Sequence, residues 1–230
     1  MAMAAPMPTP TVTPRMTTDA GLLTLMQWLS PAYPVGAFAY SHGLETLIAR
    51  GEIADAASLA AWLEAIILHG SGRNDAILLA CAFRADDPAT LAHTDATARA
   101  FCASAERLRE TVQQGAAFCT ITRNLHGFDL PDMAYPVAVG RAAHLAGLPL
   151  HQTTLLYLQA VTGNLVSAAV RLVPLGQTDG QKVLARLAPL YDGISRAAAT
   201  ATLDDLAGTT YRAEIAAMHH ETLSTRIFRT

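Results

Sequence analysis

Charged residues are scarce in this sequence. Asp, Glu, Lys and Arg make up only 15% of its 230 residues, whereas soluble domains usually contain about 25%. Lys182 is the only lysine, so arginine supplies almost all of the positive charge, and its rigid fork of donors suits carboxylates and protein surfaces. The net charge of −3 gives no reason to expect nucleic acid. A soluble chain with so little charge usually covers apolar surface with a protein partner.

Cysteine is also rare. Cys81, Cys102 and Cys119 are widely spaced, and the sequence contains no CxxC pair. The pattern therefore indicates neither a zinc site nor a disulfide framework. All three lie among apolar neighbours, so we interpret them as core residues rather than nucleophiles, and we expect a reduced, cytoplasmic location.

We expect neither a signal peptide nor a membrane anchor in this sequence. Residues 1–18 are rich in Pro, Thr, Ala and Met without periodicity, so we predict that they are disordered. The stretch from Ala142 to Val170 has no formal charge, as in a membrane span. Several polar side chains interrupt it, and their desolvation in lipid would be costly. A buried or interface helix is therefore favoured, with no membrane partner.

Catalytic motifs are missing as well. Gly176–Lys182 superficially resembles a phosphate-binding loop, but that motif needs glycine before the lysine and a hydroxyl residue after it. Gln181 and Val183 occupy these two positions, so the chain is not expected to bind GTP itself. The sequence contains neither GxSxG nor HExxH. We therefore predict a protein that is not an enzyme and that binds no cofactor tightly.

The densest group of potential metal ligands is His219, His220 and Glu221. Adjacent side chains on a helix point about 100° apart, so one helix cannot direct both histidines at one metal ion. Structural or partner-facing roles are favoured, and His219 and His220 remain weak metal candidates.

Acidic and basic residues alternate in the segment ERLRET, which contains Glu106, Arg107, Arg109 and Glu110. On a solvated helical face, each pair would stabilise the helix by about 0.2–0.5 kcal/mol. This exposed face is the favoured interpretation. The alternative is an arginine that acts on a partner's nucleotide, and the sequence does not say which arginine that would be.

Apolar residues recur at helical spacing along most of the chain, and no segment shows the alternation typical of a strand. We predict an all-α, single-domain bundle of about ten helices. Its body covers residues 19–208, and residues 209–230 form a C-terminal helix and tail. The predicted helices include 41–51, 74–83, 180–190, a separate helix through the Ala-rich stretch to residue 205, and 213–225.

The most distinctive segment is Asn164–Lys182, NLVSAAVRLVPLGQTDGQK. We predict an uncharged helix that ends at Pro174 and Gly176, because proline lacks an amide donor and glycine tolerates left-handed dihedral angles. Asp179 is expected to cap the next helix. Core or dimer-interface positions are predicted for Leu165, Val166 and Val170, with the core favoured for the first two.

Three separated segments resemble the UreF family of urease accessory proteins. They are SPAYPVGAFAYSHGLE (Ser30–Glu45), Asn164–Lys182 and MHHETLSTRIFRT (Met218–Thr230), and ERLRETVQQG (Glu106–Gly115) is a weaker fourth. The segments stand in the family's order and span residues 20–230. The sequence departs from the family pattern at His42, where glutamine is common, and at Ser224 and Thr225, where tyrosine and serine are usual. Loss of the tyrosine removes a large potential interface anchor.

The resemblance implies a homodimeric scaffold that joins the β-rich accessory protein UreD, also called UreH, to the GTPase UreG. The assembly would deliver Ni²⁺ to apo-urease, with GTP bound by the partner. Residues 209–230 would then bind a partner. For the GTPase we predict contacts from Pro34, Gly36, Phe38, Tyr40, Ser41 and Glu45. For the scaffold partner we predict contacts from His220, Glu221, Arg226, Ile227 and Phe228.

Each assignment has an alternative. The Pro34 loop is nearly as well explained as a rigid corner between core helices, and the tail as a loose chain end. A different class of function is an all-α enzyme or small-molecule-binding regulator, with a pocket lined by His144, His151, Tyr157 and Gln159. No residue spacing specifically supports that class.

Overall fold

A computed structural model describes residues 18–229, which form ten α-helices joined by turns and loops. In chain order the helices are α1 (Asp19–Trp28), α2 (Leu44–Ala49), α3 (Ala56–His69), α4 (Ser71–Arg84), α5 (Pro88–Ala100), α6 (Ala105–His126), α7 (Tyr135–Leu145), α8 (Leu150–Leu172), α9 (Gln177–Thr200) and α10 (Tyr211–His220). Short 3-10 turns cover Ala37–Ala39 and Leu203–Asp205. No strand occurs within the described residues, so the predicted all-α bundle is confirmed. The disorder predicted for residues 1–18 lies outside them, except for Thr18, which caps α1.

The helix α4 lies at the centre of the bundle and packs against α3, α5, α7, α8 and α9. Its small side chains Ala76, Ala80 and Ala82 are buried and let neighbouring helices approach closely. The closest approach is to Gly140 in α7, where an added Cβ atom would lie 2.2 Å from the carbonyl oxygen of Leu79. Any side chain at position 140 would clash with the backbone of α4, so glycine is required there.

The prediction of two helices between residues 180 and 205 is wrong, because α9 runs without a break from Gln177 to Thr200. Pro189 lies inside this helix on its exposed side. Proline removes one backbone hydrogen bond, but on an exposed face water can satisfy the freed carbonyl group. Buried residues continue on both sides of it, from Val183 and Leu187 to Tyr191. The continuous apolar stripe outweighs the local cost of the proline.

The corner between α8 and α9 also differs from the prediction in detail. α8 does end before Pro174, but Gly176 has a φ of −70° and needs no left-handed conformation. Gly176, not Asp179, is the N-cap of α9, and the Asp179 carboxylate instead accepts a hydrogen bond from Lys182 at 3.0 Å.

Both helices near the predicted partner sites are shorter than expected. α2 begins only at Leu44, because His42 and Gly43 adopt positive φ angles of 55° and 77°. α10 ends at His220 rather than near residue 225, and an irregular tail follows. Gly43 joins the two elements, since an added Cβ atom would lie 2.5 Å from the backbone nitrogen of Ala217.

The helix α8 is the one described helix that is long and apolar enough to cross a membrane. It packs against α9 and α4, and its residues Tyr157, Leu158 and Leu165 are buried in the bundle core. Its apolar character is therefore explained by packing within the protein.

Candidate functional site

The C-terminal tail folds back onto the loop before α2, and the carboxylate of Glu45 holds it there. Glu45 Oε1 accepts a hydrogen bond from the backbone N–H of Ile227 at 2.7 Å, and Oε2 accepts one from Phe228 at 3.0 Å. The backbone N–H of Arg229 donates to the carbonyl group of Ala39 at 2.8 Å. The loop and the tail, which were predicted to bind different partners, therefore lie against each other.

Two buried carboxylates and two basic side chains meet beneath the tail. His220 Nδ1 lies 2.7 Å from Glu106 Oε2, and His220 Nε2 lies 3.2 Å from Glu45 Oε2. Arg226 Nη1 donates to Glu106 Oε1 at 2.5 Å. We call Glu45, Glu106, His220 and Arg226 the tail cluster. Because both carboxylates and the imidazole are buried, these contacts are shielded from solvent.

Helix ends place the two acids of the tail cluster. Glu45 and Glu106 lie in the first turns of α2 and α6, where the helix dipole favours a negative charge. Ser104 caps α6 through the amide of Arg107, and the amide of Ala105 donates to Glu221 at 2.8 Å. The start of α6 is therefore tied to both α10 and the tail.

The side chain of Phe228 anchors the tail in the core. It is buried, and the Arg171 guanidinium carbon lies 5.6 Å from its ring centroid in a cation–π contact. The preceding residue, Ile227, points outward and is 72% exposed. The tail thus places one apolar side chain in the core and presents the next to solvent.

A second set of charges lies on α6, deeper in the bundle. His42 Nε2 lies 2.9 Å from Glu110 Oε1 and 2.6 Å from Arg107 Nη1, and Arg107 also contacts Glu110. We call His42, Arg107 and Glu110 the inner cluster. Gln114 donates a further hydrogen bond to Glu110 at 2.9 Å.

The interpretation of ERLRET as an exposed face is wrong for three of its four charged residues. Glu106 and Glu110 are buried and Arg107 is largely buried, while Arg109 alone is exposed. Arg107 and Glu110 pair with each other, and Glu106 pairs with His220 of α10 and Arg226 of the tail. The partners of Glu106 are distant in the chain, so the local sequence does not reveal them. Of the two arginines considered for contact with a nucleotide, only Arg109 has a largely exposed side chain.

Burial alone would raise the pKa of Glu110, but the charges of Arg107 and His42 outweigh it and lower the pKa to about 2. The neighbouring Asp75 shows the opposite balance. Burial raises its pKa, and the guanidinium of Arg107 offsets this only in part. The Tyr157 hydroxyl donates to Asp75 at 2.9 Å. Glu110 and Arg107 are therefore ionised over most of the pH range and have the character of a structural ion pair.

Only some of the residues predicted to contact the GTPase are exposed in the loop from Pro34 to Glu45. Pro34 is exposed and Phe38 is 66% exposed, whereas Tyr40, Ser41 and Glu45 are buried. Tyr40 is held by a hydrogen bond to a side-chain oxygen of α6 at 2.8 Å. In this conformation the buried members shape the loop, and the exposed members are the ones that a partner can touch.

Gly36 has a φ of 74°, so the turn before Ala37–Ala39 uses the left-handed conformation that glycine tolerates. In the tail, Glu221, Arg226 and Ile227 are exposed, whereas His220 and Phe228 are buried. The partner contacts assigned to both segments remain predictions.

His219 is exposed, while the next residue, His220, has no exposed surface, so the two rings point to different environments. Among the described residues there is no group of three or more His, Cys, Asp or Glu side chains that could hold a metal ion. The thiols also lack nucleophilic character, because burial raises the pKa of Cys102 and Cys119 to about 11.

The four residues of the alternative small-molecule pocket have separate surroundings. His144 packs edge-on against Phe83, whereas His151 Nδ1 lies 2.9 Å from the Ser195 hydroxyl. Tyr157 is bonded to Asp75, and Gln159 is half-buried on α8.

Leu165 and Val166 are buried within the single chain, which supports the core position favoured for them. Val170 is partly buried. Val166 and Val170 lie against Gly180 of α9, where an added Cβ atom would be 3.0 and 3.1 Å from their methyl groups. The segment Asn164–Lys182 therefore fixes the packing of α8 on α9.

Sequence reasoning missed the role of Glu106, which joins His220 and Arg226. The sequence does contain one indication of this contact. ERLRET and the tail both belong to the segments that resemble the family, and the acidic residues of the one and the basic residues of the other carry charges of opposite sign. Their complementarity could have been tested as an ion-pair hypothesis.

Comparison with known proteins gives a consistent result. The family model described as UreF matches residues 53–188. The urease accessory protein UreF of Roseobacter denitrificans is 55% identical over 215 residues, which cover 94% of this chain and 96% of the relative. The UreF proteins of Cereibacter sphaeroides strain KD131 and Ruegeria pomeroyi are 54% and 50% identical, over 92% and 93% of this chain and 100% and 98% of the relatives. The chain belongs to the UreF family of urease accessory proteins.

Proposed function

We propose that this chain is a non-catalytic scaffold of urease maturation in the cytoplasm. It joins UreD/UreH to the GTPase UreG, so that nickel is inserted into apo-urease as GTP is hydrolysed. Ni²⁺ is the cargo of the assembly, GTP is bound by the partner, and the chain itself holds no cofactor.

The observation that carries this proposal is the contact between loop and tail. It brings two strongly exposed apolar side chains, Phe38 and Ile227, onto segments that are hydrogen-bonded to each other. Exposed aromatic and aliphatic anchors beside arginine are typical of protein–protein hot spots. Arg109 and Arg226 provide such exposed arginines next to the same segments.

The exposed face of α10 supports a partner on the C-terminal side. Tyr211, Ile215 and Met218 stand at spacings of four and three residues, so they share one face of the helix. All three are exposed, while Ala216, Ala217 and His220 face the bundle. A helix that leaves large apolar side chains in solvent on one face is suited to burying them against another protein.

We assign the homodimer contact to the partly buried, uncharged face of α8. Leu155, Leu156, Ala160 and Val161 pack against the core but keep part of their surface in solvent. No Asp, Glu, Lys or Arg occurs from Leu150 to Val170, so this part of α8 brings no charge into the contact.

Truncation of the tail is the main test. A chain ending at Thr222 is expected to lose co-purification with UreD/UreH, because it lacks Arg226, Ile227 and Phe228. The full-length chain, expressed with UreD/UreH and UreG with and without nickel and GTP, should give a ternary complex. Light scattering of the isolated full-length chain should report a dimer.

Circular dichroism provides the control for the truncation, since α1 to α10 remain in the shortened chain. Undiminished capture of UreD/UreH by a truncated, folded chain would contradict the assignment of the tail. Absence of any ternary complex with the full-length chain would contradict the proposed function as a whole.

Phe38→Ala is expected to weaken recruitment of UreG by about 2 kcal/mol, or roughly thirtyfold in Kd, because an exposed aromatic anchor is removed. Thermal stability should change little, since the ring is 66% exposed. Leu23→Ala is a matched control, because Leu23 on α1 is exposed to the same extent. Titration of the complex with UreG would compare the variants. A lowered melting temperature with unchanged affinity would support a rigid corner instead.

A further inference from the structure

The protonation state of His220 follows from its contacts. Each of its ring nitrogens lies within hydrogen-bond distance of a carboxylate oxygen, of Glu106 on one side and of Glu45 on the other. An ionised carboxylate can only accept hydrogen bonds. Both ring nitrogens must therefore carry hydrogen, which makes the ring an imidazolium cation.

The other members of the tail cluster require the same charge. Glu45 accepts two backbone N–H groups of the tail in addition to His220, and Glu106 accepts the Arg226 guanidinium. With both acids ionised, the two negative charges are balanced only when His220 is positive alongside Arg226. Buried charges are tolerated when they are paired and hydrogen-bonded. The tail cluster is therefore most stable when its net charge is zero.

Loss of the proton from His220 would leave one negative charge without its cation in a buried site. The affected acid would be Glu45, whose second oxygen is shared between the ring and the amide of Phe228. We infer that the docking of the C-terminal tail is linked to protonation of His220, and that the tail detaches as the pH rises. The docked state holds one more proton than the detached state, so a higher pH favours detachment.

The charges around His220 come from five parts of the chain. Glu45 belongs to α2, Glu106 to α6 and Arg226 to the tail, while α10 itself adds Glu221, which is bonded to the amide of Ala105. On α8, Arg171 lies over the ring of Phe228. Among the side-chain types present here, histidine is the one that ordinarily changes charge near neutral pH.

Hydrogen exchange measured by NMR on the isolated full-length chain tests this inference without any partner. From about pH 5.5 to about pH 9, protection of the Ile227 and Phe228 amides, corrected for the intrinsic rate at each pH, is expected to fall about tenfold or more. Ring nitrogen shifts of His220 would report its proton directly, and the two changes should share one midpoint. The amide of Gly127, bonded to Arg123 at the end of α6, serves as an internal reference.

The variant His220→Gln should show weak protection of the two tail amides at every pH. His219→Gln is its matched control, since His219 is the exposed neighbour on the same helix, and it should keep the normal profile. Three results would overturn the inference: protection that stays constant while His220 loses its proton, a neutral His220 in the docked state, or equal effects of the two variants. The titration of the unmodified chain decides the question even if His220→Gln fails to fold.

Discussion

Arg107→Leu is expected to lower the free energy of unfolding by about 3–5 kcal/mol, because it leaves the buried carboxylate of Glu110 without its principal cation. Glu110 is buried and Arg107 lies against it, so water cannot replace the lost charge. The double variant Arg107→Leu with Glu110→Leu should recover most of the loss, because it removes both charges together. Equilibrium unfolding in urea would measure all three chains.

Arg109→Leu is the control for this prediction. Arg109 lies two residues away on the same helix but is exposed, so its replacement should change the stability by no more than about 0.5 kcal/mol. A loss of under about 1 kcal/mol for Arg107→Leu, or a double variant less stable than either single one, would contradict a structural role for the pair.

Acid unfolding supplies a second readout for the same pair. The pKa of Glu110 is lowered from 4.5 to about 2 in the folded chain. A lowered pKa means that the unfolded chain binds the proton more readily. The pair therefore stabilises the fold fully above the unfolded value and loses this effect as the pH falls toward the folded value. In the Arg107→Leu variant, most of the decrease in the free energy of unfolding between about pH 4.5 and about pH 2 should disappear.

Gly140→Ala is expected to destabilise the fold by about 3 kcal/mol or more, because the new methyl group meets backbone that cannot turn away. Its position would be 2.2 Å from the carbonyl oxygen of Leu79 and 2.9 Å from the carbonyl carbon. The helices α4 and α7 would have to separate, and α4 is the helix on which most of the others pack.

The matched variant is Gly163→Ala on α8. Gly163 also lies inside a helix, but nothing stands within 4 Å of an added Cβ atom. There alanine should stabilise the chain by about 0.5–1 kcal/mol through its better helix propensity. Thermal unfolding of the two variants should show opposite shifts. Equal shifts would mean that α4 and α7 are not packed backbone to backbone.

Local sequence patterns predicted most of the helices but not the arrangement of buried charge. The helix Pro88–Ala100 was predictable because Asp87 caps it and proline occupies its first position. The continuity of α9 through Pro189 was not, since it depends on burial along the whole helix. At Pro189 the low helix propensity of proline and the apolar pattern disagreed, and packing of the apolar stripe determined that the helix continues.

The same limit applies to the candidate site. The resemblance to the family identified the loop and the tail as segments of interest, but it assigned them to different partners and did not indicate that they contact each other. Glu45 and Ile227 are 182 residues apart in the chain, so no local pattern relates them. The buried state of Glu106 and Glu110 could not be inferred from ERLRET, because alternating charges of this kind are usually exposed on a helix. Their oppositely charged neighbours became apparent only when the helices were placed in space.

The position of the tail cluster in the chain has a consequence for synthesis. Glu45 and Glu106 precede their counter-charges His220 and Arg226 by 114 to 175 residues, so the two acids leave the ribosome well before them. Until those residues emerge, the two acids lack these counter-charges and have to remain hydrated. A chain cut short by a premature stop or by proteolysis would keep these acids exposed. The tail cluster can therefore close only after residues 220–226 have been synthesised.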